Sequence, residues 1–267
     1  PAPSVGSLPN AGEAIVRIAS AVQREWLPEE LLTVTTEVCF EETSQRVQAR
    51  RQVRWEDLVL EESPAALPQD DSVARMLAEA AVRHWDRVRP ADDSPAGRFV
   101  TRVRWLREWL PEFNLPMFDE AHLQSLLPAL CVGRRSLAEL KEAPWWKALQ
   151  AELTSPQRQT VEREAPERLT VPSGNRMTLQ YAVGRPPVLA VRIQEIFGWR
   201  ETPRVARGRV RVLLHLLAPS HRPQQITDDL ASFWLNAYPH IRSDLRRRYP
   251  KHAWPDDPLT AVPGRKS

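Results

Sequence analysis

The sequence is short of several things, and each shortage excludes something. It has four lysines, Lys141, Lys147, Lys251 and Lys266, and none follows a glycine. A loop of the form G-x-x-x-x-G-K-[ST], whose backbone N–H groups wrap phosphates, is therefore absent. Glycine is scarce, at 9 residues against 25 prolines. That balance fits many short elements stopped by proline better than a glycine-looped nucleotide fold. Cys39 and Cys131 are the only cysteines. They lie far apart without metal-ligand spacing, so they read as buried thiols in a reducing, cytoplasmic compartment. No run of about 18 uncharged apolar residues exists, so no membrane span is expected. No signal peptide is visible and the first residue is proline, so the expectation is a fragment of something longer.

What is present is a substantial apolar content, 42% of 267 residues with ten tryptophans, enough for a sizeable core. The length allows one large domain or two to three small ones. The net charge of +3 hides an asymmetry. Residues 1–165 carry 20 basic and 26 acidic side chains, whereas residues 166–267 carry 17 basic and 8 acidic. Nearly all of these cations are arginine, whose planar fork matches phosphate and stacks on rings. The basic third is a candidate polyanion surface, the alternative being ordinary solvated charge.

Pattern divides the chain into four stretches. Residues 1–12, rich in Pro, Ser, Gly and Asn, read as a disordered lead-in. Residues 13–68 read as β-rich. "AIVRIAS" suggests a short strand before a helix near Val22–Trp26, and a hairpin follows. Val34, Thr36, Val38 and Phe40 alternate on one strand, and Val47, Ala49, Val53 and Trp55 on the other. The opposite face of the return strand reads Arg46, Gln48, Arg50, Gln52, Arg54. A simple register sets Glu41 against Arg46 and Glu37 against Arg50, which favours a neutralised strip over a nucleic-acid strip.

Residues 69–165 read as helices punctuated by proline. One face carries Val73, Met76, Leu77, Ala80, Ala81, Trp85 and Val88. Another carries Phe99, Val103, Leu106 and Leu110 and ends at Pro111. Pro144 and Ser155-Pro156 open two more. Trp145-Trp146 reads as packing mass. In residues 166–267, "RLTVPSGNRMTLQY" predicts strand, turn, strand about Ser173-Gly174-Asn175. "PPVLAVRIQEIFG" predicts a helix with a stripe of Leu189, Ile193, Ile196 and Phe197, ended by Gly198. Residues 209–217 predict one strand. "ITDDLASFWLNAY" predicts a helix capped by Thr227, with Asp228 and Asp229 in its first turn.

Within the helical stretch, Asp119-Glu120-Ala121-His122 spells the tetrad that names the DEAH-box helicases. In such a motor the tetrad ends a buried strand and serves magnesium and the attacking water. Here "PEFNLP" precedes it, which is no strand. Leu123, Leu126, Leu127 and Leu130 follow at helical spacing. Asp119 suits a helix cap and Glu120 the positive end of the dipole, so the tetrad carries no chemistry. His84 and His122 have no partners at ligand spacing. His215, His221, His240 and His252 form no triad or metal pattern, and no catalytic or metal site is expected.

The last third nevertheless resembles a known family. "VPSGNRMTLQY", "PPVLAVRIQEIFGWRETPRV", "LLHLLAP", "QQITDDLASFW" and "LRRRYPKHAWPDDP" are similar to the C-terminal region of HrpB-type ATP-dependent RNA helicases of bacteria. The blocks run in order over about residues 166–258, and the "RYPKHxWPxDP" ending is highly specific. Residues 13–60 resemble, at lower density, the end of the OB-like domain of these proteins. Residues 70–165 share helical character but little motif. The resemblance implies that two motor lobes lie N-terminal to this segment. It implies ATP and magnesium there, no cofactor and no catalytic residue here, and the motor lobes as intramolecular partners.

Physics alone supplies the candidate site residues. The first cluster is Arg200, Arg204, Arg207, Arg209 and Arg211, beside Trp199 and opposed only by Glu201. Arg209 and Arg211 are expected on one face of a strand, with Gly208 allowing close approach. The second is Arg242, Arg246, Arg247, Arg248 and Lys251 on and after a helix, with Asp244 set to pair with Arg248. Tyr249, His252 and Trp254 follow in a tail stiffened by Pro250, Pro255 and Pro258. Trp254 is a candidate stacking ring; alternatively it and Tyr249 pin the tail. Arginines neutralising phosphates beside rings that stack bases make a single-strand channel, so single-stranded RNA or DNA is the expected partner. Asp256 and Asp257 would oppose a phosphate backbone.

The expectation is an α+β chain: an OB-like β segment, a helical middle and a basic mixed C-terminal domain. It would serve as an RNA-facing accessory region without ATPase activity of its own. The rival is a structural or partner-docking module, and an independent enzyme ranks third.

Overall fold

The predicted hairpin forms, but its apolar face is buried only on the return strand: Val47, Ala49 and Val53 are buried, whereas Val34 and Thr36 are exposed. In the computed structural model, which describes residues 23–264, β1 (Leu32–Glu41), β2 (Arg46–Trp55) and β3 (Leu58–Ala65) form one sheet in the order β1-β2-β3. The lead-in at 1–12, the strand expected in "AIVRIAS" and Val22 lie outside the described residues, and Arg24–Trp26 makes a single 3-10 turn. The third strand is not announced by the sequence, because "LVLEESPA" loses its alternation to Glu61-Glu62-Ser63-Pro64. It pairs antiparallel with β2, setting Gln52 against Glu62 and Val53 against Glu61, with a bulge between Val53 and Arg54. Arg50 donates to Glu62, and Arg24 to Glu61. Proline on an outer strand costs no ladder bond on its free side.

Two compact units divide the described chain. One holds the sheet residues up to Cys39 and Gln48–Pro68; the other holds the hairpin tip Phe40–Val47 and everything from Gln69 on. The tip is tied within the second unit. Val47 N–H donates to Arg135 O (2.7 Å), Leu137 N–H to Gln45 O (3.2 Å), and His84 Nε2 lies 2.9 Å from Glu42 Oε2.

The second unit continues with α1 (Ser72–Arg83), α2 (Trp85–Val88), α3 (Pro95–Trp109), α4 (Glu120–Ser125), α5 (Leu127–Cys131), α6 (Leu137–Lys141), α7 (Trp145–Ala151) and α8 (Ser155–Glu164). The predicted faces are the buried ones: Leu77, Ala80, Ala81 and Val88, then Phe99, Val103, Leu106 and Leu110. Each fully buried large side chain contributes roughly 1.5–3 kcal/mol. Caps fix the boundaries. Ser94 accepts from Gly97 N–H (3.0 Å), and Thr154 forms a reciprocal capping box with Gln157. Asp119 accepts from His122 N–H (2.9 Å), so the tetrad opens α4 as a cap. A Cβ on Gly97 would lie 2.0 Å from Ala91 O, so only glycine lets α3 start against that loop. Trp105 is wholly buried at the centre of α3 and donates to Arg185 O (2.7 Å). Buried Arg102 donates from Nε to Ala165 O (2.7 Å), stitching α3 to the end of α8.

The mixed part adds β4 (Arg168–Thr170), β5 (Arg176–Thr178), β6 (Val188–Arg192), β7 (Arg204–Val205), β8 (Val210–Arg211), β9 (Leu213–Leu217), β10 (Pro223–Thr227), α9 (Leu230–Ser232) and α10 (Tyr238–Arg248). β4 and β5 form the predicted hairpin, with Leu169 opposite Met177. Three expectations are corrected. "PPVLAVRIQEIFG" is not a helix: it is strand β6, parallel to β9, followed by a 3-10 turn at Ile193–Ile196. Leu189 and Ile193 are four apart, a spacing that fits both a helix face and a strand face; the Val188–Val191 run favours the strand. The strand predicted over 209–217 breaks at Val212, whose N–H turns to Pro203 O (2.9 Å). Thr227 ends β10, so the helix cap passes to Asp229, which accepts from Ser232 N–H (3.0 Å).

Between α9 and α10 the chain widens into a π turn, Phe233–Ala237. The wider turn lets Phe233, Trp234 and Tyr238 all be buried around Phe197. Tyr238 donates to Pro255 O (3.0 Å), and burial pushes its phenol up to about 12. Among the described residues, no helix is long and apolar enough to cross a membrane.

Candidate nucleic-acid interface

The two arginine clusters sit in different structures. The first is a tight hairpin, β7–β8, with Val205 opposite Val210 and Arg204 opposite Arg211. Its turn holds three successive left-handed residues, Ala206 (φ 51°), Arg207 (φ 54°) and Gly208 (φ 78°). Two of them carry a Cβ, which costs roughly 1–2 kcal/mol each in that region. Contacts from α8 offset that cost. Ala206 N–H donates to Glu164 O (2.9 Å), and Arg207 N–H donates to Glu164 Oε2 (2.7 Å). Arg163 Nε donates to Glu164 Oε1 (2.7 Å). Burial raises the Glu164 carboxyl's pKa, but Arg163 and the Arg207 N–H outweigh it and hold the group below the ordinary range.

Three of the hairpin's four arginines are also committed. Arg209 donates to Glu112 Oε1 (2.7 Å) and to Trp109 O (2.9 Å). Glu112's own backbone N–H and Arg209 keep that carboxyl below its usual value. The Arg207 guanidinium lies 4.6 Å from the Phe113 ring centre, within cation–π range. Arg204 donates to Gly208 O (3.2 Å). Arg200 and Arg211 are exposed, with no carboxylate at ion-pair distance among the described residues. The expected face-sharing of Arg209 and Arg211 is therefore split in use, since one grips the end of α3 and the other is open. Glu112, Phe113 and Glu164 were not legible as partners, because they lie 43 to 97 residues away in sequence.

The second cluster ends α10. Arg246, Arg247 and Arg248 are exposed in its last turn, and Lys251 is exposed just beyond. Asp244 pairs with Arg247 (2.9 Å), three residues on, and not with Arg248 as expected. Arg246, Arg248 and Lys251 have no carboxylate at ion-pair distance among the described residues. Arg242 is occupied by Asp256. Asp257 accepts from Leu259 N–H and Thr260 Oγ1–H, both at 3.0 Å. The two aspartates expected to repel a phosphate backbone are thus engaged within the tail.

Trp254 is corrected as a stacking candidate. It is 7% exposed and donates from Nε1 to Tyr249 O (3.0 Å), so its ring pins the tail to the core. Among the described residues, no group of three or more His, Cys, Asp or Glu side chains is placed to hold a metal ion.

Comparison with known proteins agrees with this architecture. A family model described as ATP-dependent helicase C-terminal matches residues 126–258. The ATP-dependent RNA helicase HrpB of Escherichia coli (strain K12) is 33% identical over 264 residues. The chain carries the C-terminal region of the HrpB family. The alignment takes in 95% of this chain and 31% of that relative, so the chain spans about a third of the length of the curated protein it matches. A crystal structure of the E. coli DExH-box NTPase HrpB superposes with a TM-score of 0.72 at 33% identity, over 89% of this chain and 30% of that one. A second, of the E. coli DEAH/RHA helicase HrpB, gives 0.59 at 32% identity over the same shares. The family match begins at Leu126, well before the dense motif blocks, so α5–α8 belong to it along with the mixed part.

Proposed function

We propose that this chain is the nucleic-acid-facing accessory region of an HrpB-type helicase, and that single-stranded RNA or DNA runs past the C-terminal end of α10. The observation that carries this reading is the trio Arg246, Arg248 and Lys251, exposed and without carboxylate partners among the described residues. A helix C-terminus carries about half a negative charge. Three unpaired cations outweigh it, and the surplus suits a polyanion. ATP hydrolysis and its magnesium belong, on this reading, to motor lobes outside the chain. The cytoplasm, where the free thiols of Cys39 and Cys131 would stay reduced, is the proposed compartment.

A specific observation supports a different role for the first cluster. Arg207 and Arg209 are bound to Phe113, Glu112 and Trp109 O, so the hairpin acts as a brace between the helices and the mixed part. The deciding experiment is fluorescence anisotropy with a short oligouridylate at about 50 and 200 mM salt. Affinity should fall steeply with salt, with a slope of about 0.7 per phosphate contacted on a single strand. Reversing Arg246, Arg248 and Lys251 to Glu should weaken binding by about two orders of magnitude at the lower salt. No binding by the unaltered chain at low salt would reject the reading and leave a docking module.

A further inference from the structure

The second cluster has a neighbour that the sequence separates from it. β9 and β10 are joined by a tight turn, in which Ala218 N–H donates to Arg222 O (2.9 Å) and His221 takes a left-handed conformation (φ 62°). A left-handed residue other than glycine is uncommon and marks a turn whose shape is imposed. Ser220 in this turn meets the tail: its Oγ lies 2.5 Å from Tyr249 Oη, across 29 positions of sequence. Tyr249 is the residue after Arg248. Its N–H donates to Leu245 O (2.7 Å), which closes α10, and its carbonyl accepts from His252 N–H (3.1 Å) and Trp254 Nε1–H. The tyrosine is therefore fixed from both sides, and the Ser220 contact sets the turn against the end of the helix.

The charges flanking that contact have one sign. Arg222 is the only formally charged residue between Leu217 and Thr227, and it is exposed with no carboxylate partner among the described residues. From Leu245 to Lys251 every formal charge is positive. Of the acids flanking this stretch in sequence, Asp244 is paired with Arg247 and Asp256 with Arg242. His221, next to Ser220 in sequence, and His252, its ring centre 6.3 Å from that of Tyr249, are both exposed and add ring N–H donors.

We infer that the β9–β10 turn and the end of α10 form one continuous phosphodiester-binding surface, with Arg222 as its second wall and the Ser220–Tyr249 contact as its hinge pin. This rests on the proposed reading and names a further contact for it. The ligand is the phosphate backbone of a single strand. The surface offers guanidinium, ammonium and imidazole donors, and Trp254, the ring expected to stack a base, is buried. It should therefore bind RNA and DNA strands alike.

The test uses the 267-residue chain, with oligouridylate and oligothymidylate probes of equal length followed by anisotropy across a salt series. Arg222→Glu is expected to weaken both probes about tenfold at about 50 mM salt and to lower the salt slope by about 0.7, with thermal melting unchanged. Arg222→Lys should retain most of the affinity. Arg176→Glu, an equal charge change at an exposed site on β5, should leave binding within about twofold. The inference is overturned if Arg222→Glu binds like the unaltered chain while the reversal of Arg246, Arg248 and Lys251 does not. It is also overturned if Arg176→Glu weakens binding as much, or if only the RNA probe binds. No binding of either probe by the unaltered chain is the separate outcome that rejects the broader reading.

Discussion

Two arginine-rich segments of similar composition divide their charge differently. In the β7–β8 hairpin, Arg207 and Arg209 spend their charge on the ring of Phe113 and on Glu112, and the turn itself hangs from Glu164. At the end of α10, Arg246, Arg248 and Lys251 are exposed without counter-charges among the described residues, and Asp244 and Asp256 are taken by Arg247 and Arg242. The lesson is that arginine density does not locate a polyanion site. The location of the carboxylates does, and the hairpin meets carboxylates supplied by helices far upstream.

The contrast can be broken at its supports. The largest effect is expected at Trp254. Replacing it with Ala empties a buried site and should cost about 3–5 kcal/mol, lowering the melting temperature by about 10 °C. Nucleic-acid affinity, measured well below that temperature, should change little if the ring serves only to anchor the tail. Next comes Glu164→Gln, which replaces a charged acceptor of the Arg207 N–H with a neutral one. A loss of about 1–1.5 kcal/mol, the difference between a charged and a neutral acceptor, is expected in chemical denaturation, again without loss of RNA binding. The same carboxyl gives a pH signature. Its folded value lies below its unfolded one, so its contribution is complete above the ordinary glutamate range. That contribution drains as acid takes the pH down through the folded value. Comparing the acid limb of the stability curve for the two proteins isolates it; superimposable curves would refute the clamp. The smallest effect belongs to Arg209→Ala. Its ion pair with Glu112 is half exposed, and such pairs contribute about 0–1 kcal/mol. If Arg209 is a brace, this change should leave RNA affinity unaltered, and a loss of tenfold or more would return the hairpin to the binding surface.

How much of this the sequence makes legible depends on range. The helices over 72–164 were legible because their apolar spacing, prolines and caps are local, and Asp119 shows a motif and a cap competing for the same four letters. Strand β6 reads as a helix in the sequence because residues four apart satisfy two periods at once. β3 is hidden because none of its residues is buried, so no apolar face imposes an alternation on it. The cations of the site were visible by composition. Their sorting into bound and open was not, since Glu164 lies 43 residues before Arg207 and Glu112 lies 97 before Arg209. Arg222 stands alone in its stretch of sequence, and only the Ser220–Tyr249 contact, 29 positions apart, ties its turn to the second cluster.

The π turn at Phe233–Ala237 has a consequence for the far end of its helix. One additional residue in a helical turn rotates everything after it by about 100° around the axis. Tightening that turn to ordinary width would swing the trailing guanidiniums about a quarter of a revolution and draw Leu245 off its buried seat. A single inserted position thus acts as an angular setting: it decides which compass bearing the cationic end of the rod faces.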